Sequence, residues 1–217
     1  MVDFEAARIK MVENQIRTTD VTSHSVLRAF LAVPREAFVP EKAKQLAYLD
    51  TDIELAPGRY LMEASPLAKQ LQAAEITKTD RVLDVGTGSG YVAAILSHLA
   101  GSVTALESNP ALAEQASHNL KALDCLNATV VTGELTKGYS DAAPYDLIFV
   151  NGAVEQVPSA LLDQLADGGR LVAVIGYGNA AEAKILLKER GAISESSRFN
   201  LSIKPLPGFT KVKEFVF

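Results

Sequence analysis

A short glycine-rich turn between two apolar runs constrains the fold of this chain more than any other feature. The run 81–85 leads into Gly86-Thr-Gly-Ser-Gly90, and a second run, residues 103–106, is followed by Glu107. Because glycine lacks a Cβ, backbone N–H groups at such a turn can come close to a ligand. An acid about 20 residues past the turn can accept hydrogen bonds from both hydroxyls of a ribose. The pattern predicts a nucleoside site at the edge of a parallel sheet.

Short apolar runs recur through the middle of the chain, most with helix-like patterns between them. They lie at residues 82–83, 103–106, 128–131, 147–150 and 170–175. Strands that are apolar on both faces and separated by helices are typical of a parallel sheet covered on both sides. The sequence therefore predicts an α/β fold with a doubly wound, mostly parallel sheet. Further predictions are helices at 113–123 and 159–165, an antiparallel hairpin at 183–203, a turn at 206–209 and a last strand at 214–217.

The residues before this region have a different pattern. Apolar positions at helical spacing cover residues 3–18, 21–32 and 65–74. Pro34 and Pro40 interrupt the helical pattern, and residues 47–62 show no sustained period, which predicts a long loop. We expect an N-terminal helical segment and substrate loop, residues 1–78, packed on a core of residues 79–217 within one structural domain.

Composition excludes several classes of protein. The 217 residues carry a net charge of −5 and are 48% hydrophobic, which argues against general binding to nucleic acid or to anionic membranes. The single cysteine, Cys125, excludes an internal disulfide and suits a reducing compartment. No apolar run reaches the roughly 18 residues of a membrane span, and the N-terminus lacks the order of a signal peptide, so a cytoplasmic location is expected. His24, His98 and His118 have no metal-ligand spacing, so no metal is expected.

Three acids lie at the ends of the first three predicted strands, Asp84 before the glycine turn and Glu107 and Glu134 after it. Asp84 would repel a pyrophosphate but suits a ligand with a positive pole, and S-adenosylmethionine carries a cationic amino group and a sulfonium. Glu134 ends the third predicted strand, where it either accepts from an adenine amino group or faces solvent. S-adenosylmethionine is therefore the predicted cofactor. Its predicted binding residues are Asp84, Gly86, Thr87, Gly88, Ser89, Gly90, Glu107, Gly133 and Glu134.

Segments along most of the chain resemble the protein-L-isoaspartate O-methyltransferase family. They are residues 8–16, 26–40, 47–50, 82–91, 143–150, 157–165 and 168–172. The most specific is Val33-Pro-Arg-Glu-Ala-Phe-Val-Pro40. The resemblance implies a Rossmann-like core of the class I S-adenosylmethionine-dependent methyltransferases, with S-adenosylhomocysteine as product. It also implies a carboxylate acceptor on a damaged protein or peptide.

The loop before residue 66 departs from the family pattern. The family sequence is Gly-Gln-Thr-Ile-Ser-x-Pro, with its serine assigned to catalysis, whereas this chain has Gly58-Arg-Tyr-Leu-Met-Glu-Ala-Ser65. An ungapped alignment puts Met62 at the serine position, and Ser65 substitutes only if the loop shifts, so no catalytic residue is assigned. Arg59 either meets the acceptor carboxylate or is an exposed loop cation. The predicted substrate-loop residues are Arg59, Tyr60, Met62, Ser65 and Asn151.

Loss of the serine does not by itself remove the chemistry. A carboxylate is already ionised at neutral pH, so methyl transfer to it needs orientation and not a general base. The predicted function is an S-adenosylmethionine-dependent protein carboxyl O-methyltransferase acting on L-isoaspartyl residues in protein repair. Two alternatives stay open: a methyltransferase for a different carboxylate or a small molecule, and an S-adenosylmethionine-binding protein without turnover.

Overall fold

The N-terminal part of the chain is helical, as the sequence predicts. The computed structural model describes residues 2–211, so the predicted strand at 214–217 lies outside the described residues. Helix α1 (Phe4–Met11) continues into a π-helical turn at Val12–Ile16, and helix α2 (His24–Ala32) ends before Pro34. Most of the apolar positions read from the sequence are buried or partly buried, whereas Ile9 is 47% exposed.

Residues 47–62 contain a β-hairpin, so the prediction of a long loop was wrong for their second half. Strands β1 (Ile53–Ala56) and β2 (Arg59–Leu61) pair antiparallel and form a two-stranded sheet of their own. Gly58 turns the chain between them with a φ of +72°, a conformation that glycine adopts without steric cost. Strands of four and three residues are too short to show the alternation that identifies a strand. Helix α3 (Ala64–Ala73) follows directly.

The main sheet has seven strands. They are β3 (Arg81–Val85), β4 (Ser102–Glu107), β5 (Ala128–Thr132), β6 (Tyr145–Val154), β7 (Leu165–Ile175), β8 (Glu182–Glu189) and β9 (Ala192–Asn200). Their spatial order is β5-β4-β3-β6-β7-β8-β9, with the first five parallel and the last two antiparallel. This arrangement confirms the predicted α/β class, the mostly parallel sheet and the C-terminal antiparallel hairpin.

Strand β3 lies between β4 and β6, so the direction of the chain through the sheet reverses at this strand. Ligands bind open α/β sheets at such a reversal, beyond the carboxyl ends of the strands. Helix α4 (Tyr91–Leu99) follows β3, and helix α5 (Pro110–Ala122) follows β4. The glycine turn and Glu107 therefore share one edge of the sheet. Helix α6 (Ser159–Asp163) connects β6 with β7.

The N-terminal segment packs on the helix that follows the glycine turn. The Tyr91 ring is fully buried between Phe30 and Phe38, with ring centroids 6.3 and 5.4 Å away. The guanidinium carbon of Arg35, also fully buried, lies 5.0 Å from the centroid of the same ring. Burial of each large side chain contributes about 1.5–3 kcal/mol, so these contacts hold the start of α4 in place. Within residues 2–211, no helix is both long and apolar enough to cross a membrane.

Candidate active site

The glycine turn is built by backbone geometry that only glycine adopts easily. Gly86, Gly88 and Gly90 have φ values of +84°, +60° and +95°, in the left-handed region that costs other residues about 1–2 kcal/mol. The amide groups of Gly86 and Thr87 donate to the Leu106 carbonyl at 2.9 and 3.1 Å. The turn is therefore fixed to the end of β4, beside Glu107.

Asp84 lies beneath this turn in an unusual environment. Its carboxylate is fully buried, and neither oxygen has a hydrogen-bond partner among the residues that the structure describes. Burial raises the pKa of Asp84 to about 7; the nearby charge of Glu107 adds to the rise, whereas the Thr87 hydroxyl and the charge of Arg59 lower the pKa. An unpartnered buried carboxylate is costly, and a cationic ligand group would offset that cost.

Glu107 is the best-satisfied acid of the site. Its Oε2 atom accepts from the Gly88 amide at 2.8 Å, and its Oε1 atom accepts from the amides of Ser108 and Asn109 at 2.8 and 2.9 Å. The side chain is fully buried at the carboxyl end of β4. These backbone donors hold the carboxylate in the position predicted for a ribose-binding acid.

Arg59 is the side chain that binds both oxygens of Glu107, and it is not the exposed loop cation that the sequence allowed. Only 7% of the residue is exposed, and its Nη1 and Nη2 atoms donate to the two Glu107 oxygens at 2.5 and 2.8 Å. Nη2 also donates to the Gly86 carbonyl at 3.0 Å. We call the Arg59–Glu107 pair the closing ion pair. It places a guanidinium from β2 where the sequence predicts a ribose.

A small cavity lies beside the closing ion pair and brings together Arg59, Tyr60, Met62 and Asn151 from the predicted site. Its free volume is about 10 Å³, room for about one water molecule. Asn151 donates from Nδ2 to the Gly86 carbonyl at 3.1 Å, while its buried Oδ1 has no partner within the described part of the chain. The Lys204 ammonium, another lining residue, lies 5.6 Å from the Tyr60 ring centroid.

The two candidates for the family serine do not offer a hydroxyl to this cavity. Met62 lines it, and the residue is held by Arg35, which donates to its carbonyl at 2.6 Å, and by Gln70, whose Nε2 lies 3.3 Å from its sulfur. Ser65 is buried, and its hydroxyl donates at 3.1 Å to the Gln15 carbonyl in the N-terminal helical segment. The structure therefore gives no support for Ser65 as a substitute.

Of the other predicted cofactor residues, Ser89 and Gly133 are bonded to neighbouring backbone near the glycine turn, whereas Glu134 lies at the surface. Ser89 is buried, but its hydroxyl donates at 2.6 Å to the Phe38 carbonyl, a packing role. The Gly133 amide donates to the Glu107 carbonyl at 3.0 Å. Glu134 is exposed, and its carboxylate accepts from Lys137 at 2.7 Å. Its other oxygen accepts from the Thr136 hydroxyl at 2.8 Å, so a contact with an adenine amino group stays a prediction.

The sequence patterns did not identify Lys204, which lines the cavity, or two leucines that cover the glycine turn. Leu206 places its Cδ1 atom 2.8 Å from the point where a Cβ of Gly86 would lie, and Leu55 places its Cδ1 atom 3.0 Å from the corresponding point of Gly88. Neither residue belongs to a chemically informative motif. The only signal was the turn at 206–209, which returns the chain towards the sheet edge. No group of three or more His, Cys, Asp or Glu suited to a metal occurs among residues 2–211.

The polar groups of the site suit S-adenosylmethionine, but the conformation does not leave space for it. Asp84 offers an unpartnered carboxylate to a cation, and Glu107 offers two oxygens to a ribose. However, Arg59 covers both oxygens, and Leu55 and Leu206 cover the glycines. The polar groups of the site therefore fit the cofactor. In this conformation, however, hairpin β1–β2 and Leu206 occupy the space that the cofactor needs.

Comparison with known proteins gives one consistent family. A family model described as Protein-L-isoaspartate(D-aspartate) O-methyltransferase (PCMT) matches residues 6–205. A protein named protein-L-isoaspartate O-methyltransferase from Methanoculleus marisnigri is 37% identical over 93% of this chain and 91% of its own length. One of the same name from Koribacter versatilis is 35% identical over 96% and 94%.

Solved structures agree with the fold. One named protein-L-isoaspartate O-methyltransferase has a TM-score of 0.81 and 26% identity, and covers 93% of this chain; the chain spans 66% of that structure's length. A Plasmodium falciparum structure in complex with S-adenosyl-L-homocysteine has a TM-score of 0.80 at 20% identity, over 95% and 99% of the two chains. This second likeness concerns the fold alone.

Proposed function

Because the chain belongs to the protein-L-isoaspartate(D-aspartate) O-methyltransferase family, we propose that it methylates the carboxylate of isoaspartyl residues in damaged proteins, with S-adenosylmethionine as donor. Membership confirms the predicted family and places the chain in the predicted enzyme class. The observation that carries the proposal is the family match over residues 6–205. The site supports it, because Asp84 and Glu107 lie at the carboxyl ends of adjacent parallel strands.

The residues that line the small cavity beside the closing ion pair are the proposed acceptor-binding residues; because the cavity holds about one water molecule, it must widen before an acceptor enters. Lys204 brings a positive charge to its wall, and an acceptor carboxylate forms its strongest contacts with such a charge. The unpartnered Oδ1 of Asn151 can accept from a peptide N–H of the acceptor. Tyr60 and Met62 supply apolar wall that excludes water. These residues bind and orient the acceptor, and no proton has to be removed from it.

The direct test is a methanol-release assay. The purified chain is incubated with methyl-labelled S-adenosylmethionine and an isoaspartyl peptide, and the base-labile methyl ester is measured as volatile methanol. We expect release above that from the matched normal-aspartyl peptide. Equal release from the two peptides contradicts isoaspartyl specificity, and esterification of another carboxylate in the same assay identifies the alternative acceptor.

A pair of identical substitutions provides the control. Glu107→Gln alters the buried carboxylate at the glycine turn, whereas Glu114→Gln alters an exposed residue of α5. We expect Glu107→Gln to abolish release and Glu114→Gln to leave it unchanged. Release from the Glu107→Gln variant at the parent rate would contradict the assignment of this edge of the sheet as the donor site.

The remaining proposals concern the cellular location of the protein, its binding partners and the absence of a metal from the reaction. The net charge of −5 and the single cysteine support a reducing, cytoplasmic location, and the same charge argues against nucleic acid and anionic membrane as partners. A protein or peptide acceptor is the proposed partner. We propose that no metal takes part, because a carboxylate nucleophile needs no metal-bound activation.

A further inference from the structure

The closing ion pair uses all of the hydrogen-bonding capacity of Glu107. An ionised carboxylate offers about four lone-pair sites. Here it accepts from five N–H groups: two of Arg59 and one each from the backbone of Gly88, Ser108 and Asn109. No lone pair is left for the two hydroxyls of a ribose. A nucleoside can therefore bind Glu107 only if Arg59 leaves, because the other three donors belong to the backbone of the site.

The same hairpin covers the glycines with apolar side chains. Leu55 of β1 lies over Gly88, and Arg59 of β2 lies 3.3 Å, through Nη2, from the Cβ point of Gly86. Leu206, outside the hairpin, also lies against Gly86. The hairpin thus occupies both the polar and the apolar parts of the predicted nucleoside position.

Asp84 provides an independent observation that the pocket beneath is built for a ligand. It is fully buried, and its oxygens have no partner in the described chain, although Arg59 lies close enough to influence its charge. If the closing ion pair were only structural, the guanidinium would leave a second buried carboxylate unsatisfied at a cost. A nucleoside ligand that replaces Arg59 at Glu107 with its ribose hydroxyls and reaches Asp84 with a cationic group would satisfy both acids.

Hairpin β1–β2 shares no strand pairing with the main sheet. Strands β1 and β2 pair only with each other, and their turn at Gly58 is exposed. The base of the hairpin is fixed instead: Arg35 donates to the Met62 carbonyl, and the Glu63 amide donates to Asp52 at 3.1 Å. Because the base of the hairpin is held and its turn is exposed, the hairpin is suited to rotate about its base as a hinge.

We propose that Arg59 is an internal competitor of the cofactor, so that S-adenosylmethionine binds only after hairpin β1–β2 releases Glu107. This inference rests on the proposed function, and it adds a determinant of cofactor affinity. The apparent dissociation constant is the intrinsic one divided by the fraction of open molecules. A substitution that removes the guanidinium therefore strengthens binding, although it alters no cofactor contact.

The test is calorimetric titration of the full chain with S-adenosylhomocysteine. The variant Arg59→Met keeps the length and apolar stem of the side chain but removes all donors. Its matched control is Arg81→Met, which breaks the exposed ion pair with Asp146 at the opposite end of β3. We expect Arg59→Met to bind at least tenfold more tightly than the parent, and Arg81→Met to bind as the parent does. Circular dichroism checks that each variant is folded.

Arg59→Lys keeps the proposal testable if Arg59→Met does not fold. Lysine retains the charge but cannot form the two parallel contacts of a guanidinium, so we expect affinity between those of the parent and of Arg59→Met. Parent-like or weaker binding by the folded Arg59 variants contradicts the competitor role while leaving the proposed function intact. Failure of the parent and all folded Arg59 variants to bind contradicts both.

Discussion

The glycine turn and hairpin β1–β2 face each other across the same site but are built in opposite ways. The turn is fixed by the parallel sheet, with its amides bonded to the end of β4, and it keeps the acids that suit a cationic nucleoside. The hairpin has no strand partner outside itself, and it contains the first part of the segment 58–65 that departs from the family sequence. The comparison teaches that one part of the chain provides the residues suited to bind the methyl donor, and another part controls access to them.

The largest expected difference between the two regions concerns glycines of similar conformation. A Cβ at Gly90 would meet the Ala116 backbone at 3.1 Å, whereas a Cβ at Gly58 would have only Pro207 near it, at 3.8 Å. Both positions have positive φ. We expect Gly90→Ala to lower the free energy of unfolding by about 2–4 kcal/mol and Gly58→Ala by about 1 kcal/mol. Urea titration measures both, and equal losses would contradict a rigid turn opposite a loosely packed hairpin.

The next effect is a pH dependence due to Asp84. Its folded pKa of about 7 lies above the unfolded value of 3.8, so the folded state binds more protons between these values. Stability from this group is therefore lost as pH rises from about 4 to about 7. Asp84→Asn removes the loss, and its stability relative to the parent should increase by on the order of 2 kcal/mol between pH 5 and pH 8.

Urea titrations at pH 5 and pH 8 measure this change. Asp146→Asn, at a partly exposed position on the far end of the sheet, is the control and should show no comparable trend. If Asp84→Asn gains nothing at pH 8, the carboxylate is not the strained group that the structure indicates.

A smaller effect is expected from restoring the family hydroxyl in the hairpin region. Met62→Ser puts a hydroxyl on the cavity wall, and a hydrogen bond to a charged acceptor contributes about 1.5–3 kcal/mol. We expect methanol release from isoaspartyl peptide to increase about tenfold, measured at low temperature because the buried thioether is lost. Ser65→Ala should leave the rate unchanged, since that hydroxyl bonds to Gln15. The reverse outcome would mean that Ser65 is the functional substitute.

The smallest effect is expected at Glu134. Its carboxylate is exposed and paired with Lys137. Glu134→Gln should therefore change the affinity for S-adenosylhomocysteine by less than twofold, as measured by calorimetry. A tenfold loss would show that this acid reaches the adenine, as the sequence allowed.

The sequence predicted the sheet well because its signals are local. Runs such as 147–150 and 170–175 are apolar on both faces, which identifies buried parallel strands without any tertiary information. It predicted the hairpin poorly, because three- and four-residue strands have no measurable period. It could not place Arg59, because the contact with Glu107 joins residues 48 positions apart and no pattern of residue types marks such a contact. The sequence therefore identified Glu107 as a site residue but not Arg59, the residue that binds it in this structure.

The most direct test of this account is a crystal structure of the parent chain with S-adenosylhomocysteine at saturating concentration. The account predicts ribose hydroxyls on both oxygens of Glu107, the ligand's ammonium group near Asp84, and the Arg59 guanidinium displaced from Glu107. A ligand bound at the glycine turn with the closing ion pair still intact would contradict it.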